Sequence, residues 1–102
     1  MPLMMKKKEG VIIIGLQKEM IVVLEAVKNV YIKYGQEPVI TSGLEGTHTF
    51  TSKHPFGYGL DFRTRYFKNK ERPLVAGEIA KRLGLRYFVL LERNHLHIHF
   101  KI

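Results

Sequence analysis

The sequence predicts an α+β domain: a small, mainly antiparallel sheet with two helices packed on it. Three observations lead there. Two segments carry apolar residues at helical spacing, and each ends at a glycine. Five shorter segments are rich in β-branched and aromatic residues or alternate between apolar and polar. Their order is strand, helix, strand, loop, strand, helix, strand, strand, which departs from the regular alternation of a parallel α/β fold. A chain of 102 residues suits one domain with one modest core.

The N-terminal stretch MPLMMKKKEGVIIIGLQKEM has a basic patch and then an apolar run, Val11 to Leu16. The run is far too short to span a bilayer and short for a signal peptide. Gln17, Lys18 and Glu19 follow it instead of a small-residue cleavage site. It reads as a buried strand, preceded by a loosely held lead over residues 1–9. The expectation is a protein made and kept in the cytoplasm unless something else releases it.

The first helix is LQKEMIVVLEAVKNVYIKYG, with Leu16, Met20, Val23, Leu24, Val27, Val30, Tyr31 and Tyr34 on one stripe and Gly35 as its stop. EPVITSG is a short strand ending in a turn. Residues 43–58, rich in Gly, Thr, Ser and His, form a long loop. GLDFRT alternates, with Leu60 and Phe62 on one face and Asp61 and Arg63 on the other. YFKNKERP is a charged loop. PLVAGEIAKRLG is the second helix, with Pro73 near its start and Gly84 at its end. YFVLL and HLHIHFKI close the chain, as two strands or as one long strand bent near Arg93 and Asn94. GEIAKRLGL looks like the opening of a helix-turn-helix, but a β-rich segment follows it where a recognition helix belongs. It reads as an amphipathic helix covering the sheet.

There is no cysteine, so disulfides, thiol catalysis and cysteine zinc sites are excluded. Any metal must be held by His, Asp or Glu. The formal charge of +8 suits an anionic partner such as nucleic acid, a membrane surface or a cell-wall polymer, without choosing among them.

Five histidines stand out: His48, His54, His95, His97 and His99. In HLHIHF, Leu96, Ile98 and Phe100 would face the core, and the three histidines would line the opposite face together. One such histidine would pass as surface polarity; three, with His54 and Asp61 in a glycine-rich segment, point to a metal site. A catalytic zinc takes three protein ligands from His and carboxylates and keeps one open position. His54 and Asp61 are candidates for two ligands, with Gly57 and Gly59 allowing a sharp turn between them. The C-terminal strand would supply the third. Glu92, just before that strand, is a candidate general base.

The stretch SKHPFGYGLD, residues 52–61, resembles S-x-H-x-x-G-x-A-x-D, the zinc motif of the D-Ala-D-Ala carboxypeptidase family of peptidases, whose fold is shared with the hedgehog signalling domain. ERNHLHIHF resembles that family's closing segment, and ITSG the strand end before its first motif. The likeness is greatest to short phage endolysin-like members. It implies a hedgehog/DD-peptidase-like fold over residues 1–102, and zinc held by His54, Asp61 and His97. It further implies Glu92 as general base, His95 near the substrate carbonyl, and Ser52, Arg63 and His48 bracing the site or holding substrate. The substrate implied is the peptidoglycan stem peptide, cut at a D-Ala-D-Ala or L-Ala-D-Glu bond, by a monomer that binds no nucleic acid. Four departures stand out. Asn94 occupies a position that is often acidic. Glu92 stands five before His97, though three before His95, which leaves His95 as the other candidate for third ligand. Gly59 replaces the usual Ala. Leu44 and Glu45 stand where an Arg often follows the S-G turn, leaving Arg63 or Arg65 to meet a substrate carboxylate. A zinc-binding module of the same fold without turnover is the second reading, and a basic nucleic-acid binder the third.

Overall fold

The computed structural model describes residues 5–45 and 56–101. Among them, the chain runs β1 (Lys6–Lys7), α1 (Glu19–Lys33), β2 (Val39–Ser42), β3 (Gly59–Arg63), α2 (Arg72–Leu83), β4 (Tyr87–Leu91) and β5 (His95–Phe100). The strands form one sheet in the order β1-β2-β3-β5-β4. Only β1–β2 is parallel; the other pairs are antiparallel. This is the α+β architecture expected from the sequence.

Helix α1 forms because Met20, Val23, Leu24, Val27, Val30 and Tyr31 recur at three- and four-residue intervals, and all are buried. It stops at Gly35, whose φ of 77° is open to glycine at little cost. The Gly35 amide donates to the Ile32 carbonyl and the Gln36 amide to that of Tyr31, a Schellman closure. Helix α2 carries Pro73 in its first turn and buries Val75 and Ile79. Both helices share one core with Ile40, Leu60, Phe62, Leu96 and Ile98 from the sheet. Each of those five is at most 1% exposed, and burying such a side chain is worth roughly 1.5–3 kcal/mol. The Tyr31 hydroxyl donates to the Arg63 carbonyl (2.8 Å) and the Tyr87 hydroxyl to the Glu19 carbonyl (2.8 Å), tying α1 to the end of β3 and to β4. Neither helix covers the opposite face of the sheet. No helix among the described residues is long and apolar enough to cross a membrane.

The structure corrects one expectation at the start of the chain and resolves an open one at its end. Val11–Leu16 is not a strand, and the first strand lies earlier, at Lys6–Lys7, inside the stretch read as a loose lead. The apolar run sits between Gly10 (φ 88°) and Gly15 (φ 96°), which turn the chain at both ends. Val11 is buried and Ile13 and Leu16 pack partly buried against the core, but Ile12 and Ile14 are 49% and 89% exposed, so the run is a strap laid over the core. The C-terminal segment is two strands, not one bent strand. Leu91 lies opposite Leu96, and Glu92 donates its amide to the His95 carbonyl (2.9 Å), so Arg93 and Asn94 form a tight hairpin turn.

The strap is held by the turn after β2. Its Ile12 carbonyl accepts from the Leu44 amide (2.7 Å), and its Ile12 amide donates to Glu45 Oε1 (2.8 Å). The Gly43 amide donates to both Glu45 oxygens, each at 3.0 Å. A Cβ on Gly43 would stand 2.3 Å from the Ile12 carbonyl oxygen, so only glycine allows this approach. Burial alone would push the Glu45 carboxyl up. Hydrogen bonds from the Ile12, Gly43 and Glu45 amides and from Ser42 outweigh it and hold the group below the usual range. A depressed carboxyl contributes stability above its unfolded pKa and loses it as pH falls through the folded value. Glu45→Gln is therefore expected to cost about 1–3 kcal/mol at pH 7, and the gap to the native chain should close below about pH 4. Urea unfolding at both pH values checks this; an equal gap at both would refute it.

Candidate functional site

The site lies on the sheet face that the helices leave uncovered, and strand alternation builds it. In β5, Leu96, Ile98 and Phe100 are buried while His95, His97 and His99 are partly exposed on the other face. In β3, Leu60 and Phe62 turn inward, and Asp61 and Arg63 turn to the histidine side. The register sets Asp61 opposite His97, Arg63 opposite His95 and Gly59 opposite His99. Directly opposed residues share a face, so one pairing brings four functional side chains together. Gly59 adds no side chain beside His99.

The closest contact is Asp61 Oδ1 to His97 Nδ1, 2.8 Å, with Asp61 buried (6% exposed). His97 Nε2 in turn lies 2.8 Å from His99 Nδ1. An ionised Asp61 accepts from His97 Nδ1–H, and His97 Nε2 then accepts from His99 Nδ1–H. The three groups form a continuous line across the face. Phe88 of β4, opposite His99 in the register, stacks on its ring with centroids 4.8 Å apart and planes 25° apart.

His95 occupies the hairpin end. Its Nδ1 is 2.8 Å from Asn94 Oδ1, so Asn94 orients the ring. Its Nε2 faces Glu92 Oε1 at 3.3 Å and Asp61 Oδ2 at 3.7 Å. Counted along the chain, Glu92 stands five residues before His97 and three before His95. The hairpin instead sets it directly across from His95, on the histidine face. Its side chain is 45% exposed, so the carboxylate meets solvent.

Asp61, His97, His95, Glu92 and Arg63 are thus on one face. His54, Ser52 and His48 lie outside the described residues. Between the two candidates for the third ligand, His97 stands nearer Asp61 than His95 does. Arg65 donates to the Tyr66 hydroxyl (3.0 Å) and lies over that ring, so it is committed elsewhere; Arg63 faces the site. Glu45, where relatives of the resembled family often carry Arg, is bound to backbone amides of the strap and turn. Among the described residues, no group of three or more His, Asp or Glu side chains is arranged to hold a metal ion.

Three contributors escaped the sequence reading. His99 was seen on the face but given no role. Phe88 needed the hairpin register, which pairs it with His99. Ser42 comes opposite Asp61 because β2 slips register by one residue between Ile40, opposite Phe62, and Ser42, while its hydroxyl bonds to Glu45. Such a bulge re-aims one side chain while the rest of the strand keeps its face.

Compared with protein-family models, with curated protein sequences and with solved structures, the chain matches none. The functional reading rests on the residues themselves.

The stack of Phe88 on His99 gives a direct test of this face. Phe88→Leu keeps apolar bulk and loses the ring contact, and it is expected to lower stability by about 0.5–1.5 kcal/mol. Urea unfolding at neutral pH measures it, and unchanged stability would show that the stack contributes nothing.

Proposed function

We propose that this protein is a zinc-dependent peptidase that cuts a peptide bond in the peptidoglycan stem. The observation that carries the reading is the pairing of Asp61 with His97 on adjacent strands, with Glu92 and His95 beside them. The likeness of SKHPFGYGLD and ERNHLHIHF to the two zinc-peptidase motifs supports it from a separate direction.

The donor set suits zinc. Zinc bonds to imidazole nitrogen and carboxylate oxygen are about 2.0–2.2 Å, which separates two tetrahedral donors by about 3.4 Å. Asp61 Oδ1 and His97 Nδ1 are 2.8 Å apart, so an opening of about half an ångström would admit the ion. His54 would be the third ligand on the strength of the motif. When bound, zinc supplies the positive charge that polarises a scissile carbonyl.

The chain's own groups have the chemistry for the rest. Glu92, solvent-accessible and next to His95, takes a proton from the attacking water and returns it to the leaving amine. His95, its ring set by Asn94, stands beside the carbonyl oxygen where charge develops. Arg63 is the cation for a carboxylate on the substrate, and Ser52 and His48 would brace or bind it. A net charge of +8 favours approach to an anionic wall. A phage lytic protein, released to the wall or carried on the virion, is the context that the resemblance suggests.

Digestion of purified peptidoglycan by zinc-loaded protein, with products read by mass spectrometry, is the test. New stem-peptide fragments are expected, and their masses identify the bond. Glu92→Ala should slow their release by about 10²–10⁴-fold while zinc stays bound. Asp61→Ala should lose the zinc itself. A chain that holds zinc and releases no fragment from several wall types is a binding module, and this reading would be abandoned.

A further inference from the structure

The Asp61–His97–His99 line contains one member that the catalytic reading does not use. The Nδ1 of His99 lies 2.8 Å from His97 Nε2, and its ring is stacked on Phe88. We propose that His99 is a positioning residue that fixes the ring orientation and proton location of His97 for binding a divalent metal. The inference rests on the zinc reading above and deepens it.

The argument is one of tautomers. His97 faces Asp61 through Nδ1, so Nδ1 is the nitrogen available to an ion shared with that carboxylate. A nitrogen that donates its lone pair to a metal carries no proton, so the ring proton of His97 must sit on Nε2. A partly buried N–H without an acceptor is costly, and His99 Nδ1 is at hydrogen-bond distance to accept it. Metal-binding imidazoles commonly depend on such a partner for their other nitrogen. Without metal the line runs the other way, with His97 Nδ1–H on Asp61 and His99 Nδ1–H on His97. On metal binding each ring moves its one proton from Nδ1 to Nε2, and the pair exchanges no net proton with solvent. The partner nitrogen is held in place from both sides. The register puts His99 two residues along the same face, and Phe88 stacks on the ring from the neighbouring strand.

Two substitutions separate the hydrogen bond from the packing. His99→Asn keeps an acceptor oxygen near the place of Nδ1 and loses the ring. His99→Phe keeps a ring for Phe88 to stack on and loses the acceptor. Zinc added alone to metal-free protein, followed by calorimetry, gives the affinity of each. His99→Phe is expected to bind zinc about 10–100-fold more weakly than the native chain, and His99→Asn to stay close to native. Long-range ¹H–¹⁵N NMR should show His97 protonated on Nδ1 without metal and on Nε2 with zinc. Equal zinc affinity in His99→Phe and the native chain would overturn the inference and leave the zinc reading standing. Weak binding by His99→Asn with native binding by His99→Phe would assign the residue to packing alone. A native chain that takes up no zinc would remove both readings together.

Discussion

The pairing of β3 with β5 is the constraint on which the rest depends. Its register decides that Asp61 meets His97, and the same register stacks Leu60, Phe62, Leu96 and Ile98 beneath the helices. A strand has only two faces, so these outcomes cannot be set independently. A slip of one residue would carry the carboxylate into the core and Leu60 or Phe62 into water. The apolar contacts that hold α1 against the sheet therefore also hold the polar line on the far side. Stability and site geometry rest on the same hydrogen-bond ladder.

The periphery serves that ladder by different means. Glu45 is a carboxylate engaged by backbone amides, and it binds the strap to the turn after β2. Gly43 permits the close approach, and the register slip in β2 sets Ser42 opposite Asp61. At the other end of the strap, the Gln17 amide donates to the Gly57 carbonyl at 3.0 Å. The strap thus touches the chain both just after β2 and just before β3. An acidic residue stands where the resembled family often has a basic one because, in this chain, that position closes the backbone.

Much of this was legible in the sequence because two periods are hard to counterfeit. The helical stripe from Met20 to Tyr31 and the alternation in HLHIHF each determine a face, and so the shared surface of Asp61, His95 and His97 followed. What stayed hidden depends on pairing between distant residues. Val11–Leu16 has the composition of a strand, but Gly10 and Gly15 turn it away and no partner pairs with it. Nothing in ERNH told a bend from a hairpin, so the distance from Glu92 to the histidines was counted along the chain when it runs across the turn. Phe88 and His99 are eleven positions apart, and only the hairpin register makes them neighbours. His48, Ser52 and His54 were readable as motif, and they lie outside the described residues.

The hairpin turn at Arg93 and Asn94 has an evolutionary consequence. Asp61, His97 and His99 are fixed by β3 and β5, whereas Glu92 owes its place opposite His95 to the length of a two-residue turn. One residue gained there would rotate Glu92 off the histidine face, and the ladder between β3 and β5 would be untouched. The Asp61–His97–His99 line and the placement of Glu92 thus rest on separate parts of the chain. A lineage with this architecture can displace Glu92 by a single insertion while keeping its fold and the carboxylate–histidine line, and can restore it by a single deletion.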